Sequence, residues 1–322
     1  MKSIKYFLFP VYLACFVPLT AQNIISGKVF LDKNGNGIQD RSEHGIKAVP
    51  VSNGRDVVLT DKDGNFSISV VDGESLFPIF PSGYTSSSGD IIRSSDFLFK
   101  TRQSKDKVDF ALKKEKQPEH FTLGAIGDIQ MGNPQELDYA NQTIIPELAG
   151  RKDIQLAVWL GDLVNNRLEL FEDVREMIRC TEIPSWVLPG NHDRITNGHT
   201  LQDSLFNCYF GASAYAFNYG NVHFIILNNV APDSKRGYKA RISDRQMTFI
   251  KNDLSYVPKD RFVVFCQHIP LVHTENIEDL KTLLSGRNKL FALSGHTHRV
   301  SRHFIPIGNA VMQELVAGAT CG

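Results

Sequence analysis

The chain has 322 residues, 42% of them hydrophobic, with Lys plus Arg equal to Asp plus Glu at 35 each and five cysteines. That length allows two domains and a substantial core. The balanced charge excludes a global field that would draw in nucleic acid or an anionic membrane, so an anionic substrate has to be held by local charge, which metal ions can supply. The cysteines are scattered, with no CxxC, and imply no disulfide framework; a Cys180–Cys208 bridge is permitted by an oxidising compartment but not required by spacing.

Residues 1–21 open with Lys2 and Lys5, continue as an apolar stretch from Tyr6 to Leu19 and end on small residues at Thr20 and Ala21. This reads as a secretory signal peptide, placing the mature protein in the periplasm or outside the cell. An uncleaved anchor is the alternative, disfavoured by Pro10, Pro18 and the short run, so no stable membrane span is expected after cleavage. Lipid attachment at Cys15 fits poorly because Tyr12, Leu13 and Ala14 depart from the acylation pattern.

From residue 22 to 112 the chain shows short alternating runs, at Ile25–Leu31, Val49–Val51, Asp56–Thr60, Asn65–Val70 and Lys107–Leu112, divided by turn clusters. The expectation is a small all-β sandwich. Within it Asp32, Asn34, Asn36, Gly37, Ile38, Asp40 and Glu43 fill the calcium-loop pattern D-x-[DN]-x-[DN]-G-x₅-E, with Ile38 offering its backbone carbonyl. A strand and not a helix precedes it, so the loop resembles those of bacterial surface β-sandwich repeats and implies a structural calcium ion. A polar Asn/Gly turn is the bland alternative. Residues 113–118 read as a charged, Pro-ended linker.

From 119 to 322 apolar strand-like runs alternate with helical patterns at Gln135–Ala149, Arg167–Cys180, Asp244–Leu254 and Asn276–Leu284. In the second, Phe171, Val174 and Ile178 share one face. Phe217–Leu227 reads as strand, with a turn over Asn218–Asn221. Five runs end in Gly127-Asp128-Ile129-Gln130, Gly161-Asp162, Gly190-Asn191-His192-Asp193, Gln267-His268 and Gly295-His296-Thr297-His298. Asp128, Asp162, Asn191, His268, His296 and His298 offer oxygen and imidazole nitrogen with no thiolate, a set suited to paired Mn, Fe, Zn or Mg ions. The preceding glycines are expected to allow sharp turns, and an extended end would point His296 and His298 the same way.

This series of motifs resembles the calcineurin-like metallophosphoesterase superfamily over residues 121 to 318, with the preceding sandwich resembling accessory domains of secreted bacterial members. The resemblance implies an α/β fold of two facing sheets flanked by helices (αββα), after the small all-β domain. It implies a bridging Asp162, a first metal on Asp128 and His298, and a second on Asn191, His268 and His296. His192 would act beside the phosphate, oriented by Asp193. The reaction implied is hydrolysis of a phosphomonoester, phosphodiester or pyrophosphate by metal-activated hydroxide, on a small phosphorylated or nucleotide- or lipid-linked substrate.

Gln130 stands where most members carry His, which retunes the first site toward harder ions such as Mn²⁺ or Mg²⁺; some branches that look active carry Gln here. The competing reading is a non-catalytic ligand- or metal-binding protein in which Gln130 spoils that site. Proteins with this domain pair often continue into a further C-terminal β domain, so whether Gly322 is a natural end stays open, as do oligomeric state and metal identity.

Overall fold

A computed structural model describes residues 23–99, 106–196 and 202–320. The leader expected over residues 1–21 lies outside them. Among the described residues no helix is long and apolar enough to cross a membrane.

The first eight strands are β1 (Asn23–Leu31), β2 (Pro50–Ser52), β3 (Val57–Leu59), β4 (Asn65–Val70), β5 (Ser75–Pro78), β6 (Tyr84–Ser86), β7 (Leu98–Phe99) and β8 (Phe110–Lys114). They form two four-stranded sheets, ordered β4-β1-β8-β6 and β3-β2-β5-β7. Alternation decides which side is buried: Ile25 and Val29 of β1 and Phe66, Ile68 and Val70 of β4 have almost no exposed surface, while Ile24, Ser26, Asn65 and Ser67 face out. The expected linker is not free. Lys113 and Lys114 continue β8 against β6, Glu115 pairs with Arg93 at 2.9 Å, and Gln117 Oε1 accepts from the Gly83 and Gly220 amides.

The remainder runs β9 (Thr122–Ile126), α1 (Pro134–Gln142), α2 (Ile144–Gly150), β10 (Ile154–Trp159), α3 (Phe171–Arg179), β11 (Ser185–Val187), α4 (Ser204–Phe210), β12 (Tyr215–Tyr219), β13 (Val222–Leu227), β14 (Val230–Asp233), β15 (Gly237–Ala240), α5 (Asp244–Leu254), β16 (Phe262–Gln267), α6 (Ile277–Leu283), β17 (Leu290–Ser294), β18 (Ser301–Ile307) and β19 (Ala310–Val316). β11-β10-β9 is a parallel three-stranded sheet; β12-β13-β16-β17-β19-β18 is a six-stranded one. The pleat of β10 sets the layering. Leu156, Val158 and Leu160 join the core shared with the larger sheet, while Ala157 and Trp159 join the core under α1 to α4. An α/β domain built on two sheets therefore follows an all-β one.

The helix expected over Gln135–Ala149 is two helices. Pro146 has no N–H for the Gln142 carbonyl, and the chain breaks at Thr143, where φ is −121° and ψ −72°. Asp244–Leu254 forms as expected, with the Ser243 hydroxyl accepting from the Gln246 amide. Cys180 and Cys208 are free and exposed.

The two domains dock tightly. Phe77, Phe80 and Phe97 of the first meet Trp186, Tyr215 and Phe249 of the second, ring centroids 5.4 to 6.4 Å apart. Arg245 donates to the Asn53 carbonyl and pairs with Glu74 at 2.7 Å, and Arg179 pairs with Asp90 at 2.5 Å. Ile92 bridges Ser185 in parallel, so the first domain extends the edge of the smaller sheet.

Candidate metal centre

Each expected ligand lies just past the carboxyl end of a parallel strand: Asp128 after β9, Asp162 after β10, Asn191 after β11, His268 after β16, and His296 and His298 after β17. The sheets hold these ends rigidly while the loops expose the side chains. The backbone there is strained. Asp128, Gln130, Asp162, His296 and His298 all have left-handed φ, between 42° and 72°, a conformation that costs a non-glycine residue about 1–3 kcal/mol.

This revises the role expected of the glycines. Of the four preceding the ligands, only Gly161 has positive φ, at 85°. At Asp128 and His296 the ligand itself makes the turn, and Gly190 and Gly295 provide room. A Cβ on Gly190 would stand 2.1 Å from Asp162 Oδ1, and one on Gly295 2.4 Å from Asp128 Oδ2. The left-handed backbone also stops His296 and His298 from extending in parallel. His298 Nε2 faces Asp128 Oδ1 at 3.7 Å, while His296 turns to His268.

The strongest convergence is on His268. Its Nδ1 donates to the Leu160 carbonyl at 2.8 Å, which aims Nε2 inward. Around Nε2 stand Asn191 Oδ1 at 3.0 Å, His296 Nδ1 at 3.1 Å and Asp162 Oδ2 at 3.3 Å. One N–H cannot serve three acceptors, whereas one cation can. Asp162, His268 and His296 place ligand atoms within 4.8 Å of one another, so the oxygen and imidazole donors fit a divalent ion.

The electrostatics agree. Burial opposes charge on both partners, but the Asp162–His268 attraction wins, holding Asp162 far below the carboxylate range and pushing His268 up to about 9. Burial and the charge on His268 lower His296 to about 4, leaving its ring a neutral donor.

Gln130 is inside the centre, its Nε2 donating to Asp162 Oδ2 at 3.0 Å. His192 lies on the open side, its amide donating to Asp162 Oδ1 and its Nε2 3.9 Å from Asp162 Oδ2. Asp193 does not orient it. The Asp193 carboxylate is buried and accepts from the amides of Leu163, Val164 and Gly190, while His192 Nδ1 has no partner among the described residues. Asp193 instead ties the Asp162 loop to the Asn191 loop; burial, reinforced by the charge on Asp162, raises its pKa to about 7.

In the first domain, Asp32 accepts from the amides of Gly35 and Gly37 and from the Ser87 hydroxyl. Glu43 accepts from the amides of Lys33 and Asp40, and Asn34 and Asn36 donate to Asp40 Oδ2. The loop follows β1 directly, and Ile38 is exposed.

Three residues outside the motifs complete the centre. Glu314 of β19 has no exposed surface; its Oε1 accepts from Gln267 Nε2, the Leu271 amide and Ser294 Oγ, so it joins the two histidine loops. Met312, Glu314 and Val316 alternate along β19 and all face inward. Arg194 lies 5.5 Å from the Tyr238 ring, and that ring stands edge-on to His296 at 6.0 Å.

Imidazoles, carboxylates and amides gathered at parallel strand ends define the metal-ligating class of α/β proteins. Residues 121–300 match the family model for calcineurin-like phosphoesterases, and residues 33–115 match the model for the N-terminal region of such proteins. The chain belongs to the calcineurin-like phosphoesterase family. A 3',5'-cyclic-nucleotide phosphodiesterase of Nostoc sp. is 26% identical over 165 residues, 47% of this chain and 59% of that protein. A probable glycerophosphodiester phosphodiesterase of Arcobacter nitrofigilis is 24% identical, over 45% of this chain and 57% of that protein. The matched region thus spans less than two thirds of the length of these curated relatives. Among solved structures, a phosphopantetheinyl hydrolase from Mycobacterium tuberculosis has a TM-score of 0.37 at 14% identity, over 62% of this chain and 89% of that one.

Proposed function

We propose that the chain hydrolyses a small phosphodiester using two divalent ions held by Asp128, Gln130, Asp162, Asn191, His268, His296 and His298. The observation that carries this reading is the convergence of three acceptors on His268 Nε2 beside Asp162, at the ends of strands from both sheets. The named activities of the two curated relatives, both acting on phosphodiesters, support the substrate class. Bound divalent ions supply Lewis acidity and bring the pKa of water toward 7.

The protein's own groups do the rest. Asp162 and Asp128 supply the only anionic ligands and hold the ions in place. His192, fixed by the hydrogen bond its backbone amide donates to Asp162, presents Nε2 to the leaving oxygen and gives it a proton. Asp193 keeps the two ligand loops in register. Purified protein supplied with Mn²⁺ is expected to bind two ions per chain and to turn over bis(p-nitrophenyl) phosphate, with His192→Ala lowering kcat at least a hundredfold. One tightly bound ion without turnover would instead support the ligand-binding alternative.

The first domain is assigned a structural calcium ion at Asp32, Asn34, Asn36, Ile38, Asp40 and Glu43, suited to an extracytoplasmic setting. Millimolar calcium should raise the melting midpoint of the wild type, and an equal rise in an Asp32→Ala variant would remove the assignment.

A further inference from the structure

We propose that Arg194, backed by Tyr238, forms an anion subsite beside the metal centre that favours substrates with a second phosphate next to the scissile one. This rests on the hydrolytic reading above.

Arg194 is only 5% exposed. Its Nε donates to the Asn191 carbonyl at 3.4 Å and its Nη1 to Gln202 Oε1 at 2.7 Å, both neutral acceptors. Among the described residues no carboxylate forms an ion pair with it. By contrast, Arg93, Arg179 and Arg245 pair with carboxylates, and three backbone carbonyls cage Arg287. Asp203, which feels the charge of Arg194, is engaged by the Ser213 hydroxyl and the Asn228 amide. A buried guanidinium left without an anion is costly, and a planar fork of donors is suited to phosphate.

Position and charge say which phosphate. Tyr238 links Arg194 to His296, so the guanidinium sits one aromatic ring away from the ligand cluster. That is reach for the neighbouring group of a substrate more than for the scissile one. Only two of the seven metal ligands are anionic, so two divalent ions already balance an attacking hydroxide and a singly charged diester. The charge of Arg194 is then surplus unless the substrate brings another. On such a pyrophosphate, hydrolysis breaks the bridging P–O bond, adds the oxygen of water to one phosphorus and leaves the protons shared between the two phosphate products.

The test compares UDP-glucose with bis(p-nitrophenyl) phosphate in the metal-loaded full chain and in Arg194→Met and Arg194→Lys. The wild type should cleave UDP-glucose. Arg194→Met should lower the ratio of kcat/KM for UDP-glucose over bis(p-nitrophenyl) phosphate at least tenfold, chiefly through KM, and Arg194→Lys should recover part of it. An unchanged ratio in Arg194→Met, or no UDP-glucose cleavage by wild type that turns over the diester, overturns the subsite alone. No turnover of either compound would remove the hydrolytic reading itself. Equal melting midpoints guard against a folding defect, and a variant that melts early while keeping the wild-type ratio also counts against the subsite.

Discussion

At the scale of single residues, the centre is organised around one proton. In the metal-free protein burial works against charge on His268, yet Asp162 and Asp128 raise it to about 9. An ion entering among Asn191, Asp162 and His296 has to displace that proton, so binding is linked to pH. Affinity at this site should rise about tenfold per pH unit between roughly 6.5 and 9 and then level off. The sign for stability is opposite. A pKa raised on folding stabilises the metal-free protein below the unfolded value of about 6.5, and this contribution is lost as pH rises through about 9. Calorimetric metal titrations in buffers of different ionisation heat would show one proton released at neutral pH, and a pH-independent affinity would contradict the scheme. All seven ligand candidates came from the sequence, because carboxylates, amides and imidazoles clustered at the ends of apolar runs, four of them directly after glycine, have few other reasons to be there. The part played by Asp193 could not. Adjacency to His192 suggested an orienting partner, but the left-handed turn at Asp162 points the Leu163 and Val164 amides at Asp193 instead.

At the scale of elements, buried strands and amphipathic helices were legible, and the β18–β19 and β14–β15 hairpins were not. Val263 to Cys266 and Leu156 to Trp159 are apolar and buried on both faces, which marks central parallel strands. The β18–β19 hairpin exposes Phe304 and Val311, and β14–β15 is short and polar, so neither shows the run that signals a strand. The first of these hairpins nevertheless carries Glu314, the tie between the His268 and His296 loops. Replacing Glu314 by Ala leaves Gln267 Nε2, the Leu271 amide and Ser294 Oγ without their shared acceptor, at a cost of about 1–3 kcal/mol or more. Metal affinity should fall between tenfold and a hundredfold, as for other outer partners of metal ligands. Glu314→Gln, which keeps a carbonyl oxygen, should retain more of both, and equal losses in the two variants would show that shape rather than hydrogen bonding matters.

At the scale of the whole molecule, the two domains share a core. Composition and turn signals separated an all-β region from an α/β one, but no pattern within either region announces which of its apolar residues face the other. Phe77 illustrates the difficulty: in β5 it looks like an ordinary inward strand residue, yet it packs on Tyr215 and Phe249 of the phosphoesterase domain. The interface adds the half-buried ion pair of Arg245 and Glu74 and the strand-like bridge at Ile92 and Ser185. Such an interface couples the two units, so the protein should unfold in one transition, not two. Phe77→Ala, which empties a fully buried aromatic site facing both cores, should cost about 3–5 kcal/mol. If the interface is merely a weak association, the same substitution would split the melt into two steps. A single, lower midpoint seen alike by tryptophan fluorescence, which reports Trp159 and Trp186 in the second domain, and by backbone circular dichroism would establish that the sandwich is a structural part of the phosphoesterase unit.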